Sequence, residues 1–335
     1  MRIRLPTRAI LRAVALVLGY LGLLVWLTWP LAASLGSSLS AEGLAPAANR
    51  FDLYYSAWVL SHESHALASA ATRLADANIY HPATGAFFYG PGALGALPLF
   101  APVFLATGNV ALAVNVTFLL GLALTGVAMH VVVRRWTGSD LAAVIGATTV
   151  LVNQWLLRGF VAVTPHWAAL CWLPLIVFLA ATRLDSTRAA LVLALLVALQ
   201  ALTDVVYVAP AVVGPLCVLA AWRLLRRSTR VAGARLILAL VLAAVALAPL
   251  YREYMSVRAA NPDLERQTQW PVTEASFPAP MPERLFHAGA PFLLTPVAIG
   301  LVALGLAAVA WRRRTGAPPP LPVPGGWAHG ALWTV

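Results

Sequence analysis

The chain has 335 residues, 61% hydrophobic and only 10% charged, against roughly 25% charged residues in a soluble domain. This excludes an ordinary soluble globule and points to a polytopic membrane protein. The formal charge is +11 and all 23 basic residues are Arg. They stand at the ends of apolar runs, so they speak for topology and not for a nucleic-acid partner.

A spanning helix needs about 20 mostly apolar residues. Runs that meet or approach this are 10–33, 109–133, 140–157, 165–182, 188–204, 206–223, 235–250 and 291–311. The predicted fold class is therefore all-α, a polytopic transmembrane bundle with about eight spans and two interface helices in the first outer loop. Residues 1–33 form a cytoplasmic segment and the first span; the run is longer than the roughly 7–15 residues of a signal-peptide core. Residues 34–108 form the first outer loop, 109–250 the membrane bundle, 251–290 a second outer loop and 291–314 the last full span. Residues 315–335 are a Pro-rich linker and the start of a further span, as expected of a fragment of a longer protein.

Orientation follows from the arginines. With the N-terminus in the cytoplasm, sixteen of the 23 fall inside and seven outside: Arg50, Arg73, Arg158, Arg252, Arg258, Arg266 and Arg284. Nine of the 12 acids also fall outside. The expected location is the inner (plasma) membrane. The apolar run 92–107 is interrupted by Pro98 and Pro102, and is read as a helix lying in or dipping into the outer leaflet. Cys171 and Cys217 sit in apolar runs as small packing residues.

The first outer loop carries the most chemistry. Its segment 53–74 reads as an interface helix preceded by Asp52, with Tyr54, Tyr55 and Trp58 amphipathic and Ser61, His62, Glu63, Ser64 and His65 polar. An aspartate here is a natural helix cap. His62 and His65, three apart, share a face and are weak metal candidates together with Glu63; a solvated polar face is the plainer reading. Asp204 stands near the outer end of a span, where an acid requires a partner or water. His130 is a helix-packing residue, and Asn115-Val-Thr117 is no glycosylation site because it lies in a span.

The order of parts resembles the GT-C class of polytopic glycosyltransferases. The pieces that carry the resemblance are Asp52-Leu-Tyr-Tyr55, Asn78-Ile-Tyr-His-Pro82, Gly90-Pro-Gly92 through Pro98 and Pro102, and Gly108-Asn109 leading to Asn115. Uncharacterised bacterial multi-span relatives of that class are similar in a further Arg-Arg-Trp-Thr-Gly turn at 134–138 and in His166 before Trp172-Leu-Pro-Leu175. The resemblance implies transfer of a sugar from a polyprenyl-phosphate donor to an acceptor at the outer face of the cell envelope, with membrane lipid around the site. It implies that Asp52 accepts the acceptor's proton. Arg158, His166, Asp204, Arg252, Arg258, Tyr54 and Tyr55 are the candidate substrate contacts, with snorkelling and capping as the plainer reading of the cations. Many members carry two adjacent acids, whereas Leu53 and Tyr54 follow Asp52 here. A divalent metal therefore lacks a paired-acid motif, and the cofactor stays open. A transporter or flippase for lipid-linked cargo, and a catalytically degenerate scaffold, are the alternatives.

Overall fold

The computed structural model describes residues 7–39, 50–69, 73–80, 82–157, 160–182, 184–205 and 208–261. Among these, all regular structure is helical. In chain order the helices are α1 (Thr7–Leu27), α2 (Arg50–Ala68), α3 (Leu97–Thr107), α4 (Val110–Thr137), α5 (Asp140–Leu151), α6 (Gln154–Leu157), α7 (Phe160–Val163), α8 (Trp172–Thr182), α9 (Thr187–Ala201), α10 (Val208–Leu225) and α11 (Arg230–Ala260).

Local chemistry sets several boundaries. Gly108 ends α3 in the left-handed region (φ 65°), and the next residue, Asn109, caps α4 by accepting the Leu112 N–H at 2.9 Å. The pair Gly138 and Ser139 repeats the device between α4 and α5: Gly138 (φ 70°) closes one helix and the Ser139 hydroxyl caps the next. These pairs account for the Gly-Asn and Arg-Arg-x-Thr-Gly turns seen in the sequence.

Four segments are long and apolar enough to cross a bilayer: 10–27, 110–137, 208–225 and 227–260. This is the character of a helical membrane protein. Their outward faces agree, with Leu11, Leu18, Val218, Val231 and Val245 all exposed. Helices α5, α8 and α9 have 12, 11 and 15 residues; at about 1.5 Å per residue they fall short of a hydrocarbon core of roughly 30 Å. The expected eight spans thus reduce to four full-length helices and several shorter ones among the described residues. The expected span 291–311, the later part of the second outer loop and the tail lie outside them. Two further differences concern helix ends. Helix α11 continues through Ala260, ten residues past the expected end at 250, because its last three turns pack on the first outer loop. Helix α2 stops at Ala68 and not near 74, since the chain doubles back to bring the Leu74 carbonyl within 3.0 Å of His62 Nε2.

Neighbouring long helices run antiparallel. The Tyr20 hydroxyl meets His130 Nδ1 at 2.8 Å near one end of the α1–α4 pair, and Asn115 Nδ2 donates to the Leu35 and Ser38 carbonyls near the other. The side chains pack in two cores. One gathers α1 to α5, with Leu53, Phe100, Phe118 and Leu122 fully buried; the other gathers α8 to α11 around Leu193, Leu236 and Ala239. Trp167, in the 3₁₀ turn Pro165–Ala168, packs against both. The seam between the cores is where the buried candidates Glu63, His166 and Asp204 lie.

Candidate functional site

Helix α2 supplies the first components. Leu53, Ser56, Ala57, Leu60, Glu63 and Ser64 form a buried i, i+3, i+4 stripe along it, with Val59 buried at its flank. The two serines satisfy themselves by donating to carbonyls four residues back, both at 2.7 Å. Glu63 cannot. Its carboxyl is fully buried; Oε1 accepts the Ala93 N–H at 2.7 Å, and Oε2 has no hydrogen-bond partner. Burial pushes this acid up to about 8 from the ordinary 4.5, against the smaller opposing effect of the Ala93 bond.

The segment opposite Glu63 is a glycine-rich strap, residues 90–96. The Tyr254 hydroxyl of α11 accepts the Gly92 N–H at 2.9 Å and donates to the Gly90 carbonyl at 3.1 Å. A Cβ on Gly90 would overlap the Tyr55 hydroxyl, and one on Gly95 would stand 2.5 Å from the Thr203 backbone nitrogen. The Gly95 N–H donates to the Leu202 carbonyl at 2.8 Å. Glycines at 90 and 95 are what let the strap pass this close to α2 and to the α9–α10 turn.

The second core adds buried polar groups at the same seam. Asp204 is 1% exposed and accepts the indole N–H of Trp167 at 3.0 Å. The Tyr251 hydroxyl donates to the Val205 carbonyl at 2.7 Å. His166 is buried edge-on to Trp167, and neither ring nitrogen has a hydrogen-bond partner. Tyr254 lies within electrostatic reach of Glu63, Tyr55 and Asp204.

Asp52 stands apart from this group. It lies in the first turn of α2, inside the helix and not at its cap, and is exposed. Partial burial still raises its carboxyl above the ordinary aspartate range. Three residues on, Tyr55 is its neighbour on the helix surface. Tyr55 joins Phe51, Tyr54, Trp58, Ile79 and Tyr80 around an open groove of about 430 Å³. The Trp58 indole is held by Asn78 Oδ1 at 2.9 Å and stacks on His62 at 5.6 Å. Tyr80 has φ 58° and an exposed ring; a left-handed non-glycine residue stores strain of the order of 1–3 kcal/mol, a feature that clusters at ligand sites.

Compared with models of protein families, with curated proteins and with solved structures, the chain matches none. The site is therefore read from its own geometry.

That geometry separates the expected residues. Tyr54 and Tyr55 line the groove. Asp204 and His166 lie at the buried seam, and Arg252 and Arg258 are exposed on the last turns of α11. Arg158 is outside the described residues. The three metal candidates diverge: His62 turns to Leu74 and Phe87, Glu63 to the strap, and His65 edge-on to Phe104. Among the described residues no three His, Cys, Asp or Glu side chains gather as a metal set. Glu63 was expected on a solvated face; its register with Leu53 and Leu60 puts it on the buried stripe instead. Trp167, Tyr251 and Tyr254 were not foreseen, since each resembles an ordinary interfacial aromatic until the fold brings it to the seam.

Proposed function

We propose that the chain is an integral membrane glycosyltransferase that moves a sugar from a polyprenyl-phosphate donor to an acceptor at the outer face of the plasma membrane. In this reading the N-terminus is cytoplasmic, and the shorter helices α5, α8 and α9, extended by adjoining turns, complete the crossings between the long ones. The acceptor hydroxyl oxygen attacks the anomeric carbon while its proton passes to the Asp52 carboxylate. The bond from that carbon to the phosphate oxygen breaks, and the lipid phosphate leaves with the electron pair.

The observation that carries the proposal is the aromatic groove lined by Phe51, Tyr54 and Tyr55, the residues that flank Asp52 along α2. Flat rings can cover the apolar face of a sugar or the first units of a prenyl chain, while a partly desolvated carboxylate suits proton abstraction. Exposed Trp26, Trp29, Phe51, Tyr54 and Tyr80 are of the kind that populates a bilayer interface. Exposed Trp136 and Trp222 accompany Arg134, Arg135 and Arg226 in another part of the bundle, as expected of the cytoplasmic boundary.

The test is sugar transfer in vesicles supplied with a polyprenyl-phosphate sugar. Asp52→Asn is expected to lower kcat by about 100-fold or more, the usual worth of a general base. Transfer by the variant at the native rate would remove Asp52 from the chemistry.

A further inference from the structure

Glu63 has no part in the reaction above, and its orphaned oxygen calls for an explanation. A buried polar atom without a partner costs about 1–3 kcal/mol, more if charged, and native structures keep few of them. Two neighbours frame it. On one side is the Ala93 N–H, 2.7 Å from Oε1; on the other is the Gly92 Cα, where a built Cβ would stand 3.0 Å from Oε1 and 3.4 Å from the Tyr254 hydroxyl. Glu63 and Tyr254 thus hold consecutive residues of one strap from two different helices, α2 and α11, and Tyr55 abuts the same strap at Gly90.

We infer that Glu63 is a proton-operated latch: protonated, it lets the 90–96 strap close across the seam between the two cores; ionised, it draws in water and lifts the strap away from Tyr55 and Tyr254. The inference is independent of sugar transfer. Its physical basis is that an ionised carboxylate at full burial, with one oxygen unpaired, needs solvation that only movement of the strap can admit.

The surroundings contain nothing that would neutralise the charge locally. Helix α2 itself brings Tyr55, His62 and, at its surface, His65. The turn before the strap brings Tyr89, and the α9–α10 turn brings Asp204. The 165–168 turn brings His166. Helix α11 brings Tyr254 inward and Arg252, Glu253 and Arg258 at the surface. Helices α3 and α7 and the first half of α4 carry no titratable side chain. Among the described residues no hydrogen bond or ion pair joins a cation to Glu63.

The direction of the pH effect follows from linkage. The closed state holds the proton up to about pH 8, whereas an opened, hydrated Glu63 loses it near the ordinary 4.5. Closure is therefore firmest below that lower value, weakens as pH rises between the two, and is level above the higher one. The groove feels the change through Tyr55, which lines it and touches Gly90.

The experiment is amide hydrogen exchange of residues 90–96 in the full chain in lipid nanodiscs, corrected for the intrinsic pH dependence of exchange. Between about pH 6 and about pH 9 the native strap is expected to lose roughly tenfold or more of its protection. Glu63→Gln, which keeps the acceptor for Ala93 but cannot ionise, is expected to stay protected at both. Tyr254→Phe is expected to lower protection at both while keeping the pH dependence. A native strap insensitive to pH, or an equal loss in Glu63→Gln, would overturn the latch. Infrared titration of the native protein is a further check: a carboxylic-acid C=O band absent from Glu63→Gln is expected to vanish with a midpoint above the ordinary 4.5 and below the value of about 8 that the closed state holds. A band of Glu63 that vanishes at the ordinary 4.5 would also overturn the latch.

Discussion

At the arginine-rich end of the bundle, Arg223, Arg230 and Arg235 donate to the carbonyls of Ala181, Leu224 and Leu184, Arg134 pairs with Asp140 at 2.7 Å, and Arg226 covers the Trp222 ring. Cations here meet the carbonyls that helix C-termini leave without partners, at the negative ends of the helix dipoles. At the seam beneath the strap, Glu63 and Asp204 are buried, Glu63 keeps an unpartnered oxygen and His166 two unpartnered nitrogens. The contrast is in how the two ends satisfy their charged groups. One end joins charge to charge and backbone; the other keeps Glu63 dry with one oxygen unpartnered, the condition under which protonation and conformation become coupled.

This comparison can be broken most forcefully at the strap. Gly95→Val places atoms on the Thr203 backbone, which cannot yield cheaply; a loss of about 3 kcal/mol is expected in detergent unfolding. Gly19→Ala on α1, with nothing within 4 Å of the added carbon, should stay within about 0.5 kcal/mol of the native chain or gain slightly. Equal effects would mean that the strap is not packed as described. Glu63→Ala strips the Ala93 N–H of its acceptor and should cost about 1–3 kcal/mol. Its companion Glu63→Gln should be milder and should flatten the fall in thermal stability that the native chain shows as pH rises from about 5 to about 8.

The arginine end should respond less. Arg223→Met removes one hydrogen bond to the Ala181 carbonyl but also an unpartnered Nη1, for a net loss of about 1 kcal/mol. Arg134→Ala breaks an ion pair whose side chains are 42% and 70% exposed; less than about 1 kcal/mol is expected, and less still in high salt. A larger loss at Arg134 than at Glu63 would reverse the assignment of roles to the two ends.

Much of the framework was legible in the sequence because apolar runs and arginines act locally. The runs gave α1, α4, α10 and the core of α11, and Pro98 with Pro102 set the 92–107 run apart from the spans. Length was harder: hydropathy at 251–260 falls, yet α11 continues because Tyr254 and Asn261 find partners in a loop 162 to 172 residues earlier in the chain. Of the site, Asp52, Tyr54 and Tyr55 stood out by residue type and position. Glu63 was readable in principle, since it follows Leu53 and Leu60 on one stripe, but its polar neighbours His62 and His65 masked the period. Tyr254 and Trp167 depend on how the two cores meet, which no local pattern encodes.

The central claim is that the Asp52 groove and the arginine cluster lie on opposite sides of a membrane, with the groove outside. With Cys171 and Cys217 replaced by Ala, cysteines at Tyr54 and Arg226 can be compared in intact cells using a membrane-impermeant maleimide. The account predicts that Tyr54→Cys is labelled directly and Arg226→Cys only after permeabilisation. Labelling of Arg226→Cys in intact cells, with Tyr54→Cys protected, would contradict it.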